Sequence, residues 1–307
     1  MAKNHLKRIH QMTFADWEKA FPDEHSCAAY LVRHRWPSGT VRCPRCGSVL
    51  VKPHGTMEFN WLCNACSPSG TNYRFSVIAG TIFENTNKPL RDWFRVIHLM
   101  LTSKKGISAL QIHRMMGFGS YKTAWYMCHR VRAGLANEEF RKLIGLVEVD
   151  ETYVGGKDKN RHADRRQHAY GGKKDSLKFA VIGAVERKGN VVARVLDKVN
   201  SATMQSFVHE VVATDVSLLT TDDALGYRGL KDTHPMHGTV DHGRRQYVTG
   251  ALHTNTIEGF WSLIKRGVMG SYHKVSRKYL PLYVAEFQFR YNNRTNPDIF
   301  GEAIRGC

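Results

Sequence analysis

The chain has 307 residues, 42% of them hydrophobic, and sets 45 Lys and Arg against 27 Asp and Glu, for a net charge of +18 and a pI near 9.7. That length and apolar content bury a real core, suggest two or more domains at about 150 residues each, and exclude a disordered chain. The charge is the electrostatic footprint of a phosphate-backbone binder, and no membrane anchor is expected, because the cleanest apolar stretch, Phe179 to Val185, is far short of the ~20 residues a span needs.

The basic start, Met1 to His10, has no apolar segment behind it, so no secretory signal is expected. Seven cysteines, an odd number, do not suit a secreted disulfide framework, and a cytoplasmic protein follows. Residues 1–38 read as an amino-terminal helical segment. Phe14 to Val32 has helical spacing with Thr13 as a cap, and Pro22 breaks or kinks it. Cys27 and Cys128 fit buried small hydrophobes, and Cys307 is a terminal thiol without an assigned role.

Residues 39–85 read as a zinc ribbon. Cys43-Pro44-Arg45-Cys46 and Cys63-Asn64-Ala65-Cys66 are two C-x-x-C knuckles around the strand-like Met57 to Leu62, a spacing that matches tetrahedral Zn²⁺ on four thiolates. Such a site is closed, so its metal is structural and adds folding energy, not chemistry. No βαβ pattern adjoins either pair, which argues against a redox dithiol, and His54 stands by as a solvated loop residue or a substitute ligand.

Residues 86–140 turn helical. Pro89 to Leu101 starts with Pro in the first turn and repeats apolar residues at helical spacing. Ser108 then caps a short helix over Ala109 to Met116, Gly117 ends it, and Ser120 caps another over Tyr121 to Arg132. Helix, glycine turn, helix is the helix-turn-helix form. Ala124, Trp125, Cys128 and Val131 are expected in the core, with Lys122, Tyr126, His129, Arg130 and Arg132 facing outward. That outward face either meets DNA phosphates and base edges or is a solvated basic face on a plain helical hairpin.

Residues 141–307 carry three acids in three contexts. Asp150 interrupts the run from Leu146 to Val154, Asp222 ends the run from Val216 to Thr221, and Glu258 opens the helical stretch Thr256 to Lys265. Two strands and a helix can bring these carboxylates together, and an oxygen-only set suits two Mg²⁺ ions, with Mn²⁺ as an alternative. Any one of the acids, taken alone, is better read as a cap or a surface ion pair, and only the joint pattern points to metal. Between the first two acids lie a basic, glycine-flanked loop (Gly155 to Lys174), two alternating strands (Leu177 to Glu186 and Val191 to Val199) joined at Gly189-Asn190, and a helix over Ala202 to Ala213 capped by Ser201. Strand, strand, strand, helix, strand, helix is the order of a ribonuclease-H-like mixed sheet. A final helix, Tyr279 to Arg290, offers Leu280, Leu282, Tyr283, Phe287 and Phe289 for packing, with Arg290 and Arg294 as further phosphate contacts.

Three segments together resemble the signatures of DDE-type bacterial insertion-sequence transposases of the branch with an amino-terminal zinc ribbon, related to Merlin transposons. They are Val147 to Gly156, Thr221 to Tyr227 and His253 to Gly267, and Tyr291-Asn292-Asn293-Arg294 extends the likeness. The resemblance implies an α/β (α+β) multidomain protein whose ribonuclease-H-like catalytic domain follows a zinc ribbon and a helix-turn-helix. It implies Asp150, Asp222 and Glu258 as metal ligands and Lys265, nearly two turns beyond Glu258 on the same helix face, as a phosphate holder. It favours Asp222 over the adjacent Asp223 and leaves Glu148 and Asn255 as secondary candidates near the metals.

The activity implied is binding of element ends, Mg²⁺-dependent strand cleavage, and strand transfer into target double-stranded DNA by a dimer or larger assembly at the bacterial nucleoid. Two alternatives stay open. One is a zinc-ribbon DNA-binding regulator with an inactive ribonuclease-H-like domain; the other is a nuclease or resolvase that never joins ends.

Overall fold

The structure is a computed structural model that describes residues 12–66, 73–136, 141–155, 178–240 and 252–307. It divides into two compact units, Met1–Ala136 with Asn293–Cys307, and Asn137–Asn292. The basic loop expected after Gly155 falls mostly outside the described residues.

In the first unit, Thr13 opens α1 (Phe14–Ala20) through a reciprocal capping box with Asp16. The single broken helix expected over 14–32 is two helices, because Asp23 and Ser26 build a second capping box after Pro22 and start α2 (Glu24–Arg35) afresh. Strands β1 (Val51–Pro53), β2 (Asn60–Cys63) and β3 (Tyr73–Ser76) form an antiparallel ribbon. Helix α3 (Leu90–Thr102) buries Trp93, Phe94, Ile97 and Leu101, and α4 (Ala109–Met116) and α5 (Tyr121–Gly134) pack beside it. Gly117 ends α4 at φ 64°, a left-handed conformation that glycine adopts without a Cβ penalty, and so makes the turn of the helix-turn-helix.

Helix α9 (Ile299–Gly306) joins the first unit, since Phe300 packs on Phe21 and Phe94 at centroid distances of 5.4 and 5.5 Å and buries its apolar face there. The three amino-terminal segments and this helix share one unit.

The second unit is a five-stranded sheet in the order β6 (Val191–Leu196), β5 (Phe179–Glu186), β4 (Leu146–Val154), β7 (Leu218–Asp222), β8 (His237–Val240). The first three are antiparallel neighbours, and β7 and β8 run parallel to β4. That mixed order, with α6 (Ser201–Val211) crossing from β6 to β7, is ribonuclease-H-like. Asn200, not Ser201, caps α6, accepting from Thr203 N in a capping box.

Alternation gives the sheet two cores. Val147, Val149, Ile182 and Ala184 meet Met204, Phe207, Val208 and Val211 of α6, while Val154, Val181 and Val185 meet Ile257, Phe260, Trp261 and Ile264 of α7 (Asn255–Gly267) and Leu280, Val284 and Phe287 of α8 (Leu280–Asn292). Edge strand β6 is covered as well: Val191 N donates to Asn292 Oδ1 and Ala193 N to Gln288 Oε1, so α8 takes up N–H groups a bare edge would offer to another chain.

Candidate functional site

Register brings the first two acids together. Glu148 of β4 pairs with Thr220 of parallel β7, so two residues further along each strand Asp150 and Asp222 come side by side at the carboxyl end of β7. They converge with Glu151: one carboxylate oxygen from each of Asp150, Glu151 and Asp222 lies within 4.8 Å of the others. Asp223 is exposed and outside the cluster, while Asp222 Oδ1 accepts from Ala224 N at 3.2 Å.

Asp150 faces α7, where the Trp261 indole donates to its Oδ2 at 3.0 Å. The ring reaches it across Gly183, the residue opposite Asp150 on β5; a Cβ there would meet the Trp261 ring at 2.6 Å. Burial, then the charges of Glu151 and Asp222, push the Asp150 carboxyl up to about 7, with the Trp261 hydrogen bond working against them. Glu151 is also raised, first by burial, although the Tyr227 hydroxyl donates to its Oε2 at 2.8 Å and stabilises the charged form. Tyr227, 1% exposed, is held well above the usual phenol range by burial and by that carboxylate.

Glu258 is exposed and is not among the converging carboxylates; its Oε1 accepts from Thr254 Oγ1 at 3.0 Å. Lys265, further along α7, is exposed, and so is Asn255. Glu148 is not at the cluster either. It is fully buried and turned to the start of α7, with Oε2 accepting from Thr256 N and Ile257 N. Sequence reasoning did not select Glu151, because period-two alternation sends it to the opposite face from Asp150; its adjacency to Asp150 was the only signal available.

The four expected zinc ligands do converge. Cys43 Sγ and Cys66 Sγ are 3.7 Å apart, as are Cys46 Sγ and Cys63 Sγ, and all four sulfurs lie within 4.8 Å. Tetrahedral Zn–S bonds of about 2.3 Å require sulfur–sulfur edges of about 3.8 Å, so the thiols fit the ion. His54 is engaged elsewhere: its Nδ1 accepts from Thr56 N and Met57 N.

On α5, Lys122 is exposed and Tyr126 is 61% exposed, as expected of an outward face. His129 and Arg132 are corrections, being 7% and 1% exposed. Helices α3 and α4 both lie against α5, so its buried arc is wider than a two-helix hairpin leaves, and the His129 ring lies tilted against Trp125 with centroids 4.2 Å apart. Arg130 is half-buried and turned inward, donating to Glu84 O at 2.9 Å over the Trp93 ring. Arg290, expected as a phosphate contact, is likewise buried, beside Glu286 on the same helix.

Residues 142–292 match the family described as the ISXO2-like transposase domain, and residues 22–69 match the transposase zinc-ribbon domain. An uncharacterized protein in transposable element ISH50 of Halobacterium salinarum is 28% identical over 284 residues, covering 89% of this chain and 92% of that one. Among solved structures, a simian T-cell lymphotropic virus intasome in complex with PP2A regulatory subunit B56 gamma aligns at 14% identity over 62% of this chain and 74% of that chain, with a TM-score of 0.30. A pre-cleavage Mos1 transpososome aligns at 14% identity over 72% and 80%, with a TM-score of 0.27. The ribonuclease-H-like fold rests on the strand order of the second unit. No helix among the described residues is long and apolar enough to cross a membrane.

Proposed function

With a transposase zinc ribbon ahead of an ISXO2-like transposase domain, the chain belongs to the insertion-sequence transposases of the zinc-ribbon branch, and on that premise we propose that it binds the ends of its own element and carries out divalent-metal-dependent strand cleavage and strand transfer. The observation that carries this reading is the meeting of Asp150 and Asp222 where β4 and β7 lie side by side. An all-oxygen donor set suits a hard cation, Mg²⁺ or Mn²⁺, and a cation there offsets the burial and the neighbouring carboxylate charges that raise Asp150. When bound, divalent ions supply charge stabilisation for an in-line displacement at phosphorus, used first with water and then with the 3′-hydroxyl that cleavage leaves.

The residues divide the work. Asp150 and Asp222 hold metal, with Trp261 fixing the rotamer of Asp150 and Tyr227 that of Glu151. Glu258 is assigned as the third acid, completing the set when DNA is engaged. Lys265 holds a DNA phosphate beside it, while Lys122 and Tyr126 on α5 read or grip the element end. The ribbon fixes its own fold through Zn²⁺. Because two ends must be joined to one target, the working form is a dimer or larger, and a monomer found by sedimentation on paired ends counts against that.

The test uses a duplex bearing the element end. Asp150→Asn, Asp222→Asn and Glu258→Gln are each expected to abolish cleavage in Mg²⁺ while band shifts show end binding near the native level. Retained cleavage removes that residue from the site, and for Glu258 it transfers the third position to Glu151. Joined products separate a transposase from a nuclease or resolvase, and a native protein that binds but never cuts in any divalent metal returns the regulator reading.

A further inference from the structure

We propose that Glu148 is a positioning residue of this site: its carboxylate pins the start of α7, the helix bearing Glu258 and Trp261, onto β4, the strand bearing Asp150. The inference rests on the reading of this unit as catalytic, and its geometry comes from the structure alone.

Glu148 is 0% exposed, yet both oxygens are engaged. Oε2 accepts from Thr256 N at 2.7 Å and Ile257 N at 3.0 Å; Oε1 accepts from Thr256 Oγ1 at 2.8 Å and Arg187 Nε at 2.6 Å. A carboxylate offers about four lone-pair sites, so one placed this way has no capacity left for a cation. Its neighbour on the same strand face, Asp150, is the one that turns to the acid cluster.

A helix leaves its first N–H groups without partners, and the N-cap usually supplies one. Here the N-cap, Thr254, makes no side-chain cap bond; its hydroxyl donates to Glu258 Oε1 instead. The missing acceptor comes from a strand more than a hundred positions earlier in the chain, and a negative group at this end also meets the positive pole of the helix. Arg187, in the turn after β5, completes the clamp by donating from Nη2 to His253 O at 3.1 Å, and His253 Nδ1 lies 3.2 Å from Glu148 Oε1. The position of Glu258, the residue directly after Ile257, is thereby tied to β4, and the Trp261–Asp150 bond repeats the tie one turn on.

Glu148→Gln keeps the shape but turns one acceptor into a donor that faces other donors. Single-turnover cleavage is expected to slow roughly 10–100-fold and the Mg²⁺ needed for half-maximal rate to rise, as when the outer partners of metal ligands are changed, while end binding stays native. Hydrogen exchange at Thr256 and Ile257 should quicken. Glu148→Asp keeps the charge but draws the carboxylate back by one methylene, so it should not restore the rate. Native cleavage in either variant overturns the proposal.

If Glu148→Gln does not fold by circular dichroism, Thr256→Val is measured in its place; it removes one of the four bonds and should slow cleavage with binding intact, and an unchanged rate overturns the proposal. A native protein that cleaves in no divalent metal defeats the transposase reading. Even then, exchange at Thr256 and Ile257 decides whether Glu148 is the anchor, and unchanged exchange in Glu148→Gln rejects it.

Discussion

Each unit contains a helix whose own N-cap gives no side-chain bond, and each supplies a glutamate from elsewhere in the chain. In the first unit Pro89 precedes α3, and Glu24 of α2 accepts from Leu90 N and Arg91 N through its two oxygens. In the second, Glu148 does the same for α7. Glu24 is exposed and Glu148 fully buried. At the surface the device is a staple between two helices; inside, it ties the start of the helix that carries Glu258 and Trp261 to the strand that carries Asp150. The ligand clusters differ in the same sense. The ribbon's thiols sit on short strands and turns with little core of their own, whereas Asp150 and Asp222 grow out of strands buried on both faces, and their burial costs stability where the thiols' metal adds it.

That contrast breaks most visibly if metal removal unfolds both units. Structural Zn²⁺ in small cysteine sites contributes on the order of 10–16 kcal/mol of apparent binding energy that is also folding energy, so chelation or Cys63→Ser should unfold the ribbon. End binding should go with it. Calorimetry of the metal-free protein should still show the transition of the second unit, because its sheet and two apolar cores need no ion. Loss of both transitions together would mean that the units fold as one.

The second prediction sets the units against each other in pH. The folded state holds the Asp150 proton more tightly than the unfolded chain, whose carboxyl titrates near 3.8. Its contribution to stability is therefore complete below 3.8 and is lost as pH rises through about 7. At 1.36 kcal/mol per pK unit the loss is at most about 4 kcal/mol in the metal-free protein. His98 in the first unit behaves oppositely: burial lowers its pKa, so its contribution is present above 6.5 and lost as pH falls. His234 and His237 of the second unit are also lowered by burial, so the native protein is compared with Asp150→Asn. From pH 4 to 8 the variant's second transition should gain on the native one, and Mg²⁺ should close the gap at pH 8. Parallel pH curves for the two proteins would show that Asp150 titrates normally.

How far the sequence reached follows the same physical divide. Cysteine spacing and glycine at a helix end are local signals, and the ribbon and the helix-turn-helix were legible from them. Parallel register placed Asp222 beside Asp150, but only the sheet could exclude Asp223, since parity has no meaning at a strand's last residue. Glu151 was hidden by alternation. The outward assignment of His129 and Arg132 failed because a third helix covers α5, a tertiary fact without periodic trace. Strand β8 is only four residues, His237–Val240, too short to show alternation, and α9 lies beyond the acid-bearing segments although Phe300 on it packs on Phe21 and Phe94, some two hundred residues earlier or more.

A third prediction concerns Gly183. Alanine there drives a methyl into the Trp261 ring, an overpacking that typically costs 1–3 kcal/mol, and should displace the indole from Asp150. The second unit should lose that stability, and cleavage should fall further than stability does, since α7 is moved off the site. A Gly183→Ala protein with native cleavage would show that the Trp261 bond is incidental to the acids.

The smallest effect returns to the paired glutamates. Removing a helix cap typically costs about 1 kcal/mol, and Glu24→Ala should cost the first unit that much in chemical denaturation. Arg91 and Arg95 remain bound to Glu18 in that variant, so α1 and α3 stay joined and the unit has no reason to open. Strand cleavage, assigned to the second unit, should be unchanged, where Glu148→Gln is expected to abolish most of it. If Glu24→Ala slowed cleavage as strongly without weakening DNA binding, burial would not be what distinguishes the two caps, and the staple in the first unit would have to act on the chemistry as well.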